Sequence, residues 1–564
     1  MELMPADQAD TTTVSEFLTR ASGGPEGTAT EEVSTAPSDR LPPPSRPPPT
    51  PPSEPPRPTT TPAAAARGWG LPLVVLIAGV FMSVLDTSIV NIALPSMQKD
   101  FGASTERVQW ISTVYSLTEG VVVPASAWLG ARFGLKRVYI WALVLFTAAS
   151  ALCGLAGGLD SLIAFRIVQA IPGGIMPVIC QTILFRIVPR EKMGAAMGLY
   201  GVGVVVAPAI GPALGGYLID YVDWRAIFYI NLPIGILGAI AGLVVLTKIP
   251  AERDRPFDLV GFSCIASALF ALLLALEEGT SWGWTSYPIL ILFAAAINLL
   301  ALFVVVELQV KHPMLDVRVF RIWPFVNSLL LIAAMMFGLF VVMFYIPLFL
   351  QNIQSLSAFD AGLVLLPQGL VMGVLMPFAG ALYDKFGARW LATIGLALTG
   401  SGILMLSRLN VDIPRGELRL GTIVMAAGLG LAMMPIMTGG LSSLPSEFSG
   451  AGNAFNTLAQ RVSSALGLAM ITAMVTADRA QFWADRSGLL IGSGANADPR
   501  IVEMQQQGQS GLIPLWQELS NQVQAQAYSH AFVVTGCVVL AGAVLAFLLR
   551  SGRPAAGADK PMAH

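Results

Sequence analysis

The chain reads as an all-α polytopic membrane protein: fourteen transmembrane helices, arranged as two six-helix bundles with an inserted helix pair. Three observations predict this. Apolar runs long enough to cross a hydrocarbon core, about 20 residues each, recur from Gly70 onward. Only 12% of the 564 residues are charged and 54% are hydrophobic, against about 25% charged in soluble domains. Finally, AWLGARFGLKR at 127–137 aligns with GALYDKFGARW at 380–390 at a constant offset of 253 residues, the mark of two homologous bundles.

Residues 1–68 are of a different composition, rich in Pro, Thr, Ser and Glu, with LPPPSRPPPTPPSEPPRPTTTP at 41–62. Such a segment cannot bury a core and is expected to be a disordered or polyproline II cytoplasmic tail. It lacks an apolar stretch behind a basic start, so it is not read as a cleavable signal peptide. The spans that follow are 70–94, 108–129, 138–158, 161–184, 193–219, 227–247, 259–277, 287–308, 325–350, 361–383, 390–408, 420–441, 451–476 and 527–549. Eight helices separate the two copies of the repeat, which six-helix halves plus an inserted pair explain. The predicted units are an N-terminal bundle at 69–250, the pair at 251–323, a C-terminal bundle at 324–550 and a short cytoplasmic tail at 551–564. A long external loop, 478–526, precedes the last helix, and its polar end is open to a short helix.

Basic residues set the orientation. Arg132, Lys136 and Arg137 follow helix 2; Arg186, Arg190 and Lys192 follow helix 4; Lys248, Arg253 and Arg255 follow helix 6; Lys311, Arg318 and Arg321 follow helix 8; Lys385 and Arg389 follow helix 10. The odd-numbered loops are poorer, except for Arg408, Arg415 and Arg419 after helix 11. Both termini are therefore expected in the cytoplasm. A net charge of −2 argues against nucleic acid as a partner. Cys153, Cys180, Cys264 and Cys537 each fall in an apolar run and form no CxxC pair, so buried thiols are expected, with no disulfide, metal or cofactor.

Charges inside the apolar runs are the candidates for function, because a carboxylate in hydrocarbon costs roughly 3 kcal/mol even on the mildest scales. In helix 1, Ser83, Thr87 and Asn91 recur every four residues with Asp86 beside them, one polar stripe that must face inward or line a cavity. Helix 4 carries Arg166, which keeps its charge and needs a partner; Asp86 is the first candidate. Helix 2 carries Glu119, on one face with Ser112, Tyr115 and Ser126, and three roles are open to it: proton site, contact for a cationic substrate, or helix-packing hydrogen bond. In helix 5, Gly203, Ala207, Gly211 and Gly215 form a small-residue ridge, with Pro208 and Pro212 able to kink it. Helix 13 presents Asn453, Asn456, Gln460 and Ser464 with Arg461 at the border, a polar network at the bundle interface. His530 reads as a surface histidine at the external membrane edge. Met335, Met336, Phe337, Phe340, Met343, Phe344 and Tyr345 are expected inside helix 9's bundle, as packing or an adaptable pocket. No Lys is followed by Ser or Thr, so the phosphate loop of ATP-driven pumps is absent from the sequence.

These residues resemble a family. The second loop copy, Gly380-x-Leu382-x-Asp384-Lys385-x-Gly387-x-Arg389, is similar to the G-x-L-x-D-x-x-G-x-R/K signature of the major facilitator superfamily. The first copy keeps Arg132, Gly134 and Lys136 but has Ala127 for the glycine and Ala131 for the aspartate, leaving its basic residues without their usual partner. LDTSIVNIALP at 85–95, RIVQAIPGG at 166–174, APAIGPALGGYL at 207–218 and DWRAIFYINLPIG at 223–235 resemble motifs of the fourteen-helix drug:proton antiporter branch, the EmrB/QacA type. The resemblance covers residues 70–550. It implies a major facilitator fold, neighbouring helices 1 and 4, gating loops around 132–136 and 380–389, and a helix-5 antiporter motif at Pro208, Gly211, Pro212, Gly215 and Gly216.

The expectation is a proton-coupled exporter of hydrophobic or amphipathic compounds in a bacterial inner membrane, a multidrug efflux or antibiotic-resistance transporter and not an enzyme. Asp86 with Arg166 is the coupling pair and Glu119 a second site; Asn91, Tyr115, Gln169, Tyr345 and Asn456 are cavity candidates. Substrate, protons and lipid are its partners, and docking of an accessory periplasmic protein is open. One rival is an exporter of a single endogenous lipid, siderophore or metabolite. Another is a receptor or scaffold acting through the Pro-rich tail, which deletion of 1–68 would separate, since a transporter keeps its flux. A lipid-modifying enzyme would need clustered nucleophile, base or metal ligands at membrane depth, and no such constellation is read.

Overall fold

A computed structural model describes residues 68–249, 251, 256–311, 313–487 and 509–548, all within one compact unit. Of the expected tails at 1–68 and 551–564, all but Gly68 lies outside the described residues, as do the loop arginines Arg253 and Arg255. Long helices follow one another in order: α1 (Gly70–Phe101), α2 (Thr105–Phe133), α3 (Leu135–Gly154), α4 (Leu159–Ile187) and α5 (Met193–Tyr221). Next come α6 (Ala226–Val245), α7 (Leu259–Trp282), α8 (Tyr287–Gln309), α9 (Trp323–Asn352) and α10 (Ala358–Phe386). The last four are α11 (Ala388–Leu406), α12 (Arg415–Ser442), α13 (Ser449–Ser487) and α14 (Gln509–Ala546).

Among the described residues, twelve of these helices are long and apolar enough to cross a membrane. α2 carries four charges, Glu106, Arg107, Glu119 and Arg132, and α5 adds a 29-residue helix whose described apolar stretch is Met193–Pro208. One expectation is corrected. Residues 478–487 and 509–526, read as loop, continue α13 and α14, and Trp483 meets Trp516 edge-on at 5.7 Å between ring centroids. Their polarity hid the helix, because an apolar window ends where a polar helix protrudes beyond the hydrocarbon.

The halves are built alike. Helices α1–α6 pack as α1 on α4, α5 and α6, α4 on α2 and α3, and α3 on α6; α9–α14 repeat every one of these pairings eight helices later. The repeated loops are matching tight turns. Gly134 at φ +88° links α2 to α3, and Gly387 at φ +76° links α10 to α11, a backbone region that glycine enters without steric cost. The halves meet along two seams, α5 on α10 and α2 on α13.

The inserted pair breaks this symmetry. α7 packs against both α2 and α13, with Leu273 and Leu274 against Leu117 and Val462. At Gly120 a Cβ would lie 2.4 Å from Leu273 Cδ1, so the glycine permits that approach. α8 lies outside, with only 17% of its apolar window buried, as a lipid-facing helix should be. Glu307, buried at its end, accepts from the Met314 and Leu315 amides at 3.1 and 3.2 Å and pins the connection to α9.

Candidate functional site

Asp86 is fully buried in α1; α4 and α6 supply its donors and α3 supports one of them. Arg166 Nη1 of α4 meets Asp86 Oδ2 at 2.5 Å. The Gln169 amide, one turn on, donates to Asp86 Oδ1 at 2.9 Å while its carbonyl accepts from Arg166 Nη1 at 2.8 Å. Asn231, at the restart of α6 after its break, donates to Asp86 Oδ1 at 2.8 Å. Its amide is held in turn by Ser150 of α3 at 3.0 Å. Asp86, Gln169, Asn231 and Ser150 are each 0% exposed and Arg166 1%. The carboxylate thus accepts three donors, and the guanidinium also bonds the Ile111 carbonyl at 3.4 Å and stacks on the Tyr115 ring at 3.9 Å. A buried ion pair needs such secondary bonds to offset desolvation of both ions, and moving any member leaves a charge uncompensated.

Glu119, in the middle of α2, is also 0% exposed. Its partner comes from the other half: Arg461 Nη2 of α13 lies 2.5 Å from Glu119 Oε2, with 34% of the arginine side chain exposed. Tyr115 connects the two sites, because its hydroxyl and Glu119 Oε1 both abut Gly173 of α4, at 2.7 and 3.0 Å from where a Cβ would stand. Two ion pairs therefore lie on either side of one tyrosine, a fully buried one inside the N-terminal half and a half-buried one across the α2/α13 seam.

Other expected site residues are scattered. Tyr115 and Gln169 belong to the Asp86 cluster. Tyr345 hydrogen-bonds Thr472 at 2.9 Å and stacks on Tyr528 at 4.9 Å, entirely within the C-terminal half. Asn91 is exposed and bonded by Ser112 at 2.7 Å. Asn456 is 1% exposed, and neither of its amide atoms has a partner among the described residues. Phe340, Met343 and Phe344, expected inside, are 39–44% exposed, while Met335, Met336 and Tyr345 are buried. Cys537 is exposed, unlike the other three cysteines. His530 is half exposed and paired with Asp478 at 2.7 Å.

At the end carrying the basic loops, the two expected gates differ. Asp384, after Gly380 in α10, accepts from the Gly194 and Ala195 amides of α5 at 2.9 and 3.2 Å. These are unpaired donors of a helix's first turn, where negative charge also meets the positive end of the helix dipole. Gly380 and Gly194 touch backbone to backbone, a Cβ on Gly194 falling 2.1 Å from Gly380 O. Arg389 stacks on Phe547 at 4.2 Å. In the first copy, Lys136 instead caps α6 of its own half, donating to the Leu243 and Leu246 carbonyls at 2.7 and 2.5 Å, and Arg132 is half-buried nearby.

The small ridge of α5 packs on α1: a Cβ at Gly203 would strike Ile77, at Gly211 Ser88, and at Gly215 Ile89, while Gly216 faces open space. Ser88 also donates to the Pro208 carbonyl at 3.5 Å. The side chain of Pro212 lies outside the described residues. The glycines that reach the other half are Gly194, Gly198 and Gly201, against Gly380, Met376 and Met434. This second set is spaced by four and then three residues, so a small-residue signal is present in the sequence there too, on another face of the helix.

A family model described as Major Facilitator Superfamily matches residues 76–468. The tetracenomycin C resistance and export protein of Streptomyces glaucescens is 31% identical over 87% of this chain and 94% of its own. The multidrug transporter protein MdtP of Bacillus subtilis is 31% identical over 73% of this chain and 76% of its own. Among solved structures, the proton:xylose symporter XylE superposes with a TM-score of 0.54 at 14% identity, covering 84% of this chain and 94% of that one, a likeness of fold.

Proposed function

We propose, from the premise that this chain belongs to the Major Facilitator Superfamily, that it is a proton-coupled exporter of hydrophobic or amphipathic compounds. It would be of the fourteen-helix drug:proton antiporter type, in a bacterial cytoplasmic membrane with both termini inside. The observation that carries this reading is the wholly buried Asp86–Arg166 pair with its Gln169 and Asn231 donors. While Arg166 and the amides face it, Asp86 holds its negative charge. When the halves rock and Arg166 withdraws, the carboxylate takes a proton from the external side; when Arg166 returns, the proton leaves to the cytoplasm. Substrate export on the opposite stroke completes antiport, drawing on about 2.3 kcal/mol per charge per 100 mV. The seam at Gly194, Gly380 and Asp384, closed here, is the gate that opens at the cytoplasmic end.

The test is substrate-induced proton release from the purified protein, screened with lipophilic cations and neutral drugs. Release in the wild type that disappears in Asp86→Asn, with the fold intact, is the expected result; unchanged release in the variant removes Asp86 from coupling. The similarity to a protein named for export of one compound supports a narrower reading, an exporter of one endogenous molecule. A panel in which a single chemical class elicits release would favour it.

A further inference from the structure

The inserted pair brings a second carboxylate to the α2/α13 seam. Glu277, one turn beyond Leu273 on α7, stands on the face that meets α2, beside Thr113 and in the field of Arg461. α7 wedges between α2 and α13, where Leu273 and Leu274 pack on Leu117 and Val462, the neighbours of Glu119 and Arg461. Thr113 and Glu119 are six positions apart on one helix, about 9 Å along its axis. The seam therefore carries two carboxylates at different depths, one from the N-terminal half and one from the insertion, with Arg461 on the facing helix. The arginine is paired with the first at 2.5 Å and keeps a third of its side chain exposed. Glu278 beside Glu277 is turned to its own helix, accepting from Ser281 at 2.6 Å. Arg166 and Asp86, the other charges acting on Glu119, are tied to each other.

We infer that Arg461 exchanges carboxylates during the transport cycle. It is held by Glu119 when the basic end is closed and by Glu277 when that end opens, which makes Glu277 a positioning residue and the inserted pair a working part of the rocking motion. This rests on the alternating-access reading above. α2 and α13 belong to different halves, so the Glu119–Arg461 distance must change when they rock, and a guanidinium two-thirds buried is compensated better by a second carboxylate than by the water that reaches part of it. α7, packed on both helices, supplies that carboxylate.

The experiment measures the distance between spin labels at Arg137→Cys and Glu447→Cys, exposed positions at the basic end of each half. A Cys537→Ser background is used, since the other three cysteines are buried. Glu119→Gln, which frees Arg461, is expected to raise the open population. Adding Glu277→Gln should return it to the closed one by at least about fivefold, the lower edge of ordinary coupling between sites, whereas Glu277→Asp should not. Identical distance distributions with and without Glu277→Gln, in both wild-type and Glu119→Gln backgrounds, would overturn the exchange. Proton release reads the antiport proposal separately, so loss of that reading with an intact Glu277 effect, or the reverse, tells the two apart.

Discussion

The two seams between the halves occupy equivalent positions in the repeat and are built from opposite materials. At α5/α10 the helices touch at glycine, and Asp384 of one half caps the first-turn amides of the other. At α2/α13 the equivalent positions are Ala127 and Gly450, with a Cβ on Gly450 3.5 Å from Ala127 Cβ, and Ala131 stands where Asp384 would. That seam is wider, admits α7 beside it, and is tied instead by the half-buried Glu119–Arg461 pair. One seam is a close backbone joint locked by a carboxylate on a helix end. The other is a looser joint held by a charge pair. Duplication supplied the same frame twice, and the two seams then diverged in how they are held together.

The largest expected break in this comparison comes from a single methyl. Gly194→Ala should cost about 100-fold in transport, the upper end of what overpacking by 1–3 kcal/mol produces, because the new Cβ meets backbone that cannot yield. Gly450→Ala, at ordinary van der Waals distance, should change the rate by less than about threefold. Equal effects in a drug-efflux assay would erase the distinction between the seams.

Next comes the charge pair. Arg461→Gln leaves Glu119 buried and unpaired, a loss of about 3 kcal/mol, the lower end of the usual range because Arg461 is partly exposed. The Glu119→Gln/Arg461→Gln double variant should recover most of it. Thermal unfolding in detergent gives the cycle directly, and additive single effects would show that the pair contributes nothing as a pair. Asp384→Asn removes charge but keeps an acceptor for Gly194, so about 1 kcal/mol of cap and dipole energy is expected to go, read as a lower Tm. Smallest of all, Ala131→Asp installs the missing aspartate on the other seam. With glycine replaced by Ala127 there, the helix end stays out of reach, and a stability change within about 0.5 kcal/mol is expected.

Particular residues show where sequence reading stops. Asp86 and Arg166 were legible singly because a charge in an apolar run stands out against its neighbours. Asn231 was not, although it lies in the quoted DWRAIFYINLPIG motif, since an asparagine near a helix break looks like an ordinary turn residue. Glu277 is not legible as a site, because it ends the apolar run 259–277, where an acid is unremarkable. Arg461 was read as the border of a polar face, and nothing along α13 identifies an acid on α2, 342 positions earlier, as its partner.

By itself the sequence determined the membrane class, the order of the helices, the duplicated halves and the places where charge is embedded, because hydropathy and repeat spacing are properties of the chain. Tertiary structure alone decided which charges meet, which glycines let the halves touch, and that the inserted helix lies on one seam and not the other. Those depend on the rotation of each helix about its axis and on contacts between distant segments, which no local pattern encodes.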